Sequence, residues 1–525
     1  MKNKGFLWQF IILALLFSGC AGTRLIKTSM NTGMINTLKS NRNSIKIHVN
    51  DGGLYVLNNW SINPKADTIK GFGEYYNYQR DLVNFRLYNK SAGIIRAESF
   101  QIPSDKITLI ETSTITANMG NFAAITIVGV PMSIFAIYCI TDPKACFGSC
   151  PTFYARKNGN WNMMAEGFSS SIAPSFEKKD IDMLYWADVP EDTFSLKLTN
   201  EALETHVLRY VDLLAFPESG GDKVFATESG QFYRTSEIIS PESCMAEEGE
   251  CLNLIKDMDR KERFCATDPK NLAKKEEIIL SFDNNSNSDL GLLIGSKQTL
   301  LTTHLFYQVM AYTGKHYGSM VAEFENGNTY LKKQIQKLWD KLGGIEIFLQ
   351  DENKNWEKVD EIDEMGPIAS DIHLAKLPSG KQEKVTIKLR MTKGLWRIDY
   401  LALASIIGEE TPVRLKPDLV LKDDSIDIDA LKRLKEEVKP LITLPGDKYE
   451  LKYKLHNDCN SQFFLDTKGY YIEWMREEWL AEENLRKAAF AFQFPGLFMR
   501  KAAPEFKKAE PLMEKIFWES RYVRQ

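Results

Sequence analysis

The stretch YCITDPKACFGSCPTFY, residues 138 to 154, places Cys139, Cys146 and Cys150 in a C-x6-C-x3-C pattern. Thiols this close in sequence serve a metal, a redox pair or a structural disulfide. The paired C-x2-C knuckles and nearby histidine of a zinc site are missing, so no metal is expected and a local disulfide among the three is the default. A second pair, Cys244 and Cys251, flanks MAEEGE, a charged loop of a length that a disulfide closes. For acid–base chemistry, Glu204 and His206 in ETH stand at i and i+2, positions that share one face of a strand. Glu166 in EGFSSSIAP has serines close by in sequence. There is no H-E-x-x-H, G-x-S-x-G, phosphate loop or dinucleotide fingerprint, and histidines number only 6. The expectation is therefore a non-enzymatic protein with no cofactor, a hydrolase using a carboxylate pair or a Glu204/His206 site being an alternative. In DNNSNSD, residues 283 to 289, oxygen-bearing side chains alternate as in a calcium loop. Ser288 stands where an EF-hand needs glycine and Ile294 where it needs the bidentate glutamate, so a polar turn is expected, with a looser calcium site as the alternative.

The fate of the thiols depends on compartment. Lys2 and Lys4 precede an apolar run from Phe6 to Phe17, closed by Ser18, Gly19 and Cys20. This is the layout of a secretory signal, too short to be kept as a spanning helix. The residues LLFSGC resemble a bacterial lipoprotein signal peptide, and the resemblance implies loss of residues 1–19 and a lipid on Cys20. With Ala21 rather than an aspartate after the cysteine, it further implies the outer membrane, on either its periplasmic or its surface face. An ordinary cleaved signal or an N-terminal anchor helix is the alternative. Export permits disulfides. Of the 8 cysteines, setting Cys20 aside leaves an odd number, so at least one thiol stays free or pairs with another chain.

Composition limits the partners. Apolar content of 44% is that of an ordinary globular protein, and a net charge of -4 with both signs interspersed leaves no basic footprint for nucleic acid. A chain of 525 residues is too long for one core and predicts roughly three or four domains.

The elements that must position these residues fall into five stretches after the signal. Residues 20–113 read as a small β domain, opened by SIKIHVNDGGLYVLNNW, where Ile45, Ile47 and Val49 alternate inward before a turn at Asp51-Gly52-Gly53. Residues 114–142 form an uncharged apolar segment; Gly129 and Pro131 at its middle favour a buried or membrane-touching segment over a span. Residues 143–270 read as a cysteine-containing β domain and 271–410 as a β-sandwich, the latter from the period-2 runs IEIFLQ, VTIKLR and LWRIDYLALA. His304, among apolar neighbours in a helical segment, is expected in the core. Residues 411–525 read as helix-rich: a helix over DIDALKRLKEEVKPL, a strand pair near KYELKYKLHN, then a helix placing Tyr471, Trp474, Met475 and Leu485 on one face. Tyr471, Trp474, Trp479, Trp518 and Arg521 have the composition of an interface stripe, with packing onto the preceding sandwich as the alternative. The expected class is mainly β with α additions, an α+β chain of several β domains.

Two further resemblances bear on the fold. The sandwich pattern is similar to galactose-binding-like jelly rolls, which implies loops able to bind sugars. The order S-C-P-x-x-Y at Ser149, Cys150, Pro151 and Tyr154, the turn at Asn158-Gly159, the pair Ala165-Glu166, then L-x-N-E-x-x-E-T through Asn200, Glu201, Glu204 and Thr205 and W-R-I-D from Trp396, resembles a large, uncharacterised family of bacterial envelope lipoproteins. That likeness runs to about residue 405 and brings no activity with it. The leading expectation is a lipid-anchored outer-membrane protein that binds other envelope proteins as a scaffold subunit; a surface glycan-binding lipoprotein is the alternative.

Overall fold

The computed structural model describes residues 23–30, 45–49, 53–63, 67–77, 83, 98–117, 150–190, 192–202, 204–217, 220–284, 288–317, 320, 329–363, 366–379, 383–437, 439–455, 461–473 and 482–519. The chain divides into two compact units, Met1–Met132 and Ser133–Gln525. Its class is mainly β with α additions. Among the described residues no helix is long and apolar enough to cross a membrane. The apolar segment beyond residue 117 lies outside the described residues, as do Cys20, Cys139, Cys146, Trp474, Trp479 and Arg521.

The first unit is one antiparallel sheet of β1 (Thr23–Met30), β2 (Ile45–Val49), β3 (Leu54–Asn63), β4 (Thr68–Tyr76), β5 (Glu98–Pro103) and β6 (Ile107–Ala117), in the order β1-β6-β2-β3-β4-β5. The expected hairpin is present, with Ile45 opposite Leu57. Ile45, Ile47 and Val49 are buried with Trp60, Ile69 and Ile110, as the alternation requires. Strand β6 runs past the boundary expected at 113.

The second unit begins with β7 (Thr152–Lys157), β8 (Asn160–Glu166), β9 (Lys178–Met183), β10 (Thr193–Thr199) and β11 (Glu204–Pro217). The chain then builds a second set of strands before returning: β12 (Lys223–Ala226), β13 (Phe232–Ile239), β14 (Ser243–Ala246), β15 (Gly249–Glu250), β16 (Arg263–Phe264), β17 (Lys275–Asp283) and β18 (Asp289–Gln298). Helices α1 (Leu301–Thr313) and α2 (Thr329–Leu342) follow, then β19 (Ile345–Gln350), β20 (Trp356–Ile362), β21 (Asp371–Lys376), β22 (Lys384–Thr392) and β23 (Trp396–Glu410). The return is made by β24 (Val413–Leu415), β25 (Leu419–Lys422), β26 (Ser425–Ile426), α3 (Ile428–Glu436), β27 (Leu441–Thr443), β28 (Lys448–Lys454) and β29 (Ser461–Glu473), before α4 (Leu485–Gln493) and α5 (Pro495–Glu519).

These strands form four sheets. Sheet β26-β25-β28-β10-β7-β8 packs on β24-β11-β29-β9, and β13-β12-β21-β18-β23-β16 packs on β15-β14-β17-β22-β19-β20. A third core, with Phe216 and Phe464 on one side and Leu293 and Leu374 on the other, joins the two sandwiches through their inner sheets. The result is a four-layer stack, in which the sandwich of residues 223–410 is inserted between β11 and β24.

The layering explains the sequence texture. Outer strands alternate: in β22, Val385, Ile387 and Leu389 point to the core while the residues between them are half-exposed. Inner strands face apolar layers on both sides. In β18, Leu292 and Ile294 enter one core and Leu293 the other, so the strand is an apolar run without alternation.

Three expectations change here. Ser243 pairs with Ser281 across the boundary drawn at 270/271, and Lys197 pairs with Glu450 across both later boundaries. The stretch 411–525 carries strands β24 to β29 before its last two helices. Tyr471 belongs to β29, not to a helix: it faces His206 in the pairing with β11 and is buried, its hydroxyl donating to the Ser169 carbonyl at 2.8 Å. Both faces of β29 are covered, so its apolar residues fall at consecutive positions and do not show a strand period. The helix expected from residue 428 forms as α3, with Asp427 accepting from the Ala430 N–H as N-cap.

Candidate functional site

Strand β9 reads KKDIDM, so Asp180 and Asp182 share one face while Ile181 and Met183 pack in the core between the sandwiches. Strand β21 reads DIHLAK, which puts Asp371 and His373 on one face while Ile372 and Leu374 enter that same core. Glu166, the last residue of β8, and the turn Thr227-Glu228-Ser229-Gly230 complete the lining. Together they line an open cleft of about 230 Å³ at the junction of the two sandwiches, with Lys178 and Lys179 also lining it.

Its carboxyls accept from backbone, two of them across the junction. Glu166 Oε2 accepts from the Ile368 N–H at 2.7 Å, Asp371 Oδ1 from Met183 N–H at 3.0 Å, and Glu228 Oε2 from Asp363 N–H at 3.0 Å. Asp180 Oδ2 accepts from the Phe168 N–H at 2.6 Å. His373 Nε2 stands 3.5 Å from Asp371 Oδ2. Glu166 and Asp182 are only 4% and 7% exposed. Glu166 Oε1, Asp182 Oδ2 and His373 Nδ1 are buried and have no hydrogen-bond partner among the described residues.

Burial dominates the electrostatics. Desolvation raises Glu166 to about 7, against the opposing N–H groups of Ile368 and Ala369. Asp371 is likewise raised to about 7 by burial, and Glu228 to about 7. Asp182 is pushed well above the carboxylate range by burial, then by Asp180, Asp371 and Glu166. Burial lowers His373 to about 4, so its ring is neutral at pH 7.

Behind Glu166 lies a small inner chamber of about 60 Å³, lined in part by Cys150, Glu204, Tyr307, Tyr471 and Glu473. Here the structure does bring Glu204 and His206 together, with His206 Nε2 at 3.1 Å from Glu204 Oε2. Both are fully buried, so they do not form an open catalytic pair. Tyr307 donates to Glu473, and Glu473 pairs directly with Glu204 across β11 and β29.

The cysteines divide. Cys244 and Cys251 are joined in a disulfide, with Cα atoms 5.3 Å apart. Cys150, expected among disulfide candidates, is a free buried thiol, raised by burial and by Glu166 and Glu204. Glu248, Cys265 and Glu276 converge as metal ligands would. The guanidinium of Arg263 already bonds both glutamates there, Nε to Glu248 at 2.7 Å and NH2 to Glu276 at 2.5 Å, so the cluster has its cation. His304 is in the core as expected, lowered to about 4 by burial. Trp518 falls in α5, but its side chain lies outside the described residues.

Sequence reasoning missed Asp180, Asp182, Asp371, His373 and Glu228. The signal was present as D-x-D and D-x-H between apolar residues, an alternation that turns charged groups to one face of an otherwise buried strand.

No family model and no curated protein matches the chain. Among solved structures, a mutant VP2 protein of infectious bursal disease virus aligns at 8% identity over 94% of this chain and 91% of its own, with a TM-score of 0.15. A GH31 α-xylosidase from Xanthomonas citri aligns at 6% identity over 87% of this chain and 40% of its own, with a TM-score of 0.14. Likenesses this weak carry over neither a fold nor an activity.

Proposed function

We propose that this chain is an exported envelope protein, held at the outer membrane by lipid on Cys20, whose larger unit binds a hydroxyl-rich ligand of the glycan class in the carboxyl-lined cleft. The observation that carries the reading is the cluster of carboxyls, Glu166, Asp180, Asp182, Glu228 and Asp371, that lines one cleft and keeps two buried oxygens, Glu166 Oε1 and Asp182 Oδ2, without a hydrogen-bond partner among the described residues. Buried polar atoms without partners cost stability, so a site that keeps them is organised for something that satisfies them. Carboxyls that ionise near neutrality both donate and accept hydrogen bonds, as sugar hydroxyls do. The position between two packed sandwiches is a usual one for a small-molecule site. A jelly-roll-like sandwich is consistent with this use. For the anchor, β1 begins at Thr23, so lipid on Cys20 would hold the first strand within roughly 10 Å of the bilayer surface.

The test is glycan-array binding, followed by calorimetry, of the detergent-solubilised full chain. Wild type should retain a glycan that Glu166→Gln with Asp182→Asn binds at least about tenfold more weakly, the effect of one lost charged or polar contact. Equal retention by both proteins, or none by either, rejects the reading.

A scaffold role rests on a different observation. Phe494 and Leu497, at the turn into α5, are each about half exposed, as are Leu485 on α4 and Leu512 further along α5, apolar side chains of the kind that dock proteins. A mild-detergent pull-down from native membranes tests it: stoichiometric envelope subunits lost with Phe494→Ser and Leu497→Ser support it, and recovery of the protein alone rejects it.

A further inference from the structure

We propose that the tip of the β7–β8 hairpin is a second binding surface, where cations held on aromatic rings grip an anionic polysaccharide from both sides of the hairpin. No residue of the carboxyl-lined cleft takes part, so the inference is independent of the reading above.

Strands β7 and β8 turn at Asn158 and Gly159, both with positive φ, as a tight hairpin requires. The loop after β9 locks that turn in place. Asp188 Oδ1 accepts from the Asn158 N–H at 2.9 Å and Oδ2 from the Gly159 N–H at 3.1 Å, while the Asp188 N–H donates to the Arg156 carbonyl at 2.7 Å. Consecutive residues of β7 point to opposite faces, so Arg156 and Lys157 lie on either side of the hairpin. On one side the Arg156 guanidinium is 4.0 Å from the centre of the Trp161 ring, and the Lys197 ammonium on β10 reaches the same ring at 4.5 Å. On the other, Lys157 is 4.1 Å and Arg260 5.8 Å from the centre of the Trp186 ring. Tyr185 stands edge-on to Trp186, ring centres 4.7 Å apart, and carries Lys223 over its own ring at 5.5 Å. Arg156, Tyr185, Lys223 and Arg260 are exposed.

The partners of these cations set them apart. Other arginines of the sandwiches bond carboxylates, as Arg209 does Glu177 at 2.7 Å and Arg390 does Glu346 at 2.7 Å. Among the described residues, Arg156, Lys157, Lys197, Lys223 and Arg260 are in ion-pair contact with no carboxylate. Glu450 and Asp424 act on Lys197 from further off, opposed by Arg156 and Lys448, and Glu450 already holds Lys452 at 3.6 Å. Arg156 gives one N–H to the Gly159 carbonyl at 2.9 Å. An aromatic face holds a cation without occupying its N–H donors, so the remaining guanidinium and ammonium hydrogens stay available to an anion. A chain of net charge -4 that gathers such cations around one turn is complementary there to a negative partner. A flat bilayer meets one side of a hairpin tip at a time, whereas a linear polymer follows it from one side to the other. That favours a carboxylate- or phosphate-bearing polysaccharide over lipid headgroups.

The experiment measures binding of polygalacturonate, a phosphate-bearing mannan and neutral dextran to the detergent-solubilised full chain, by calorimetry at low and at high salt. At least one anionic polymer should bind, dextran should not, and affinity should fall at high salt through screening. Arg156→Ala with Lys197→Ala, and separately Lys157→Ala with Arg260→Ala, should each weaken binding at least about tenfold. Arg209→Ala removes an arginine that has a carboxylate partner and should change binding less than about twofold. Thermal melts identify any unfolded variant, and glutamine then replaces alanine at both of its positions. Failure of both anionic polymers to bind, or equal binding of dextran, overturns the proposal. Binding that only one of the two pairs weakens, or that Arg209→Ala weakens as much, overturns it too. Displacement of the polymer by phosphatidylglycerol mixed micelles at equal charge concentration assigns the cations to lipid headgroups and rejects the polysaccharide.

Discussion

Gly366 stands so close to Glu166 that a β-carbon on it would lie 2.0 Å from Oε2. The contact crosses the junction between the sandwiches, because Glu166 ends β8 and Gly366 belongs to the segment leading into β21. Only a residue without a side chain lets the Ile368 N–H reach the carboxyl at 2.7 Å.

Gly366→Ala should therefore act on the site and the fold together. The carboxyl would be pushed off the Ile368 N–H, and overpacking of this kind costs about 1–3 kcal/mol. Chemical denaturation should show that loss, and the retained glycan should bind more weakly. An unchanged midpoint would mean that the segment moves aside freely.

The pH dependence of stability follows from two opposed sets of groups. Glu166 and Asp371 have folded values near 7, above their ordinary range, so the stability they contribute is full in acid and is lost as pH rises through about 7. His304 and His373 have folded values near 4, below their ordinary value, so what they contribute is present above about 6.5 and lost as pH falls through about 4. Glu166 alone accounts for about 3 kcal/mol over its window. Replacing it with glutamine removes the alkaline loss at that position. The melting temperature of Glu166→Gln relative to wild type should accordingly rise between pH 5 and pH 8. A difference that stays flat across that range would contradict a buried, high-pKa Glu166.

How much of this was legible in the chain depends on exposure. Strands of the outer sheets announce themselves, since Ile345 and Ile347 in β19 alternate with less buried residues. Strands β11, β18, β23 and β29 are covered on both faces and lose the period that identifies a strand, which is why β29 looks helical through Tyr471. The insertion leaves no local mark, because it is defined by pairings between distant segments such as Lys197 with Glu450. The same holds for the site. Glu204 and His206 follow from the geometry of a single strand. Met183 and Asp371 meet from 188 residues apart, and no local pattern brings them together.

The Cys244–Cys251 disulfide closes a short loop between buried residues. Loop-closure entropy for so short a ring corresponds to about 2 kcal/mol. Replacing both cysteines with alanine should lower the denaturation free energy by that amount, and reductant should not weaken the double variant further. Cys150 should stay unreactive to thiol reagents until the protein unfolds, since burial and the nearby Glu166 and Glu204 disfavour its thiolate. Rapid labelling of Cys150 in the native state would contradict its burial.

Arg414 governs the point where the chain returns from the inserted sandwich. On β24 its guanidinium bonds Asp212 at 2.8 Å and also Asp466, carboxylates that stand directly opposite each other on β11 and β29. Both aspartates are essentially buried, and among the described residues the Lys179 ammonium, 3.4 Å from Asp466, is the other cation in ion-pair contact with them. Arg414→Ala removes the shared partner and leaves two like charges facing one another out of water. Arg414 is itself 41% exposed, so the loss falls between that of a surface pair and that of a fully buried one, at roughly 1–3 kcal/mol. Neutralising all three positions together, as Arg414→Met with Asp212→Asn and Asp466→Asn, removes the repulsion as well as the attraction and should recover most of that loss. If the single substitution costs less than about 1 kcal/mol, or the triple is no better than the single, the aspartates are solvated and the return strand is held by its backbone pairing with β11 instead.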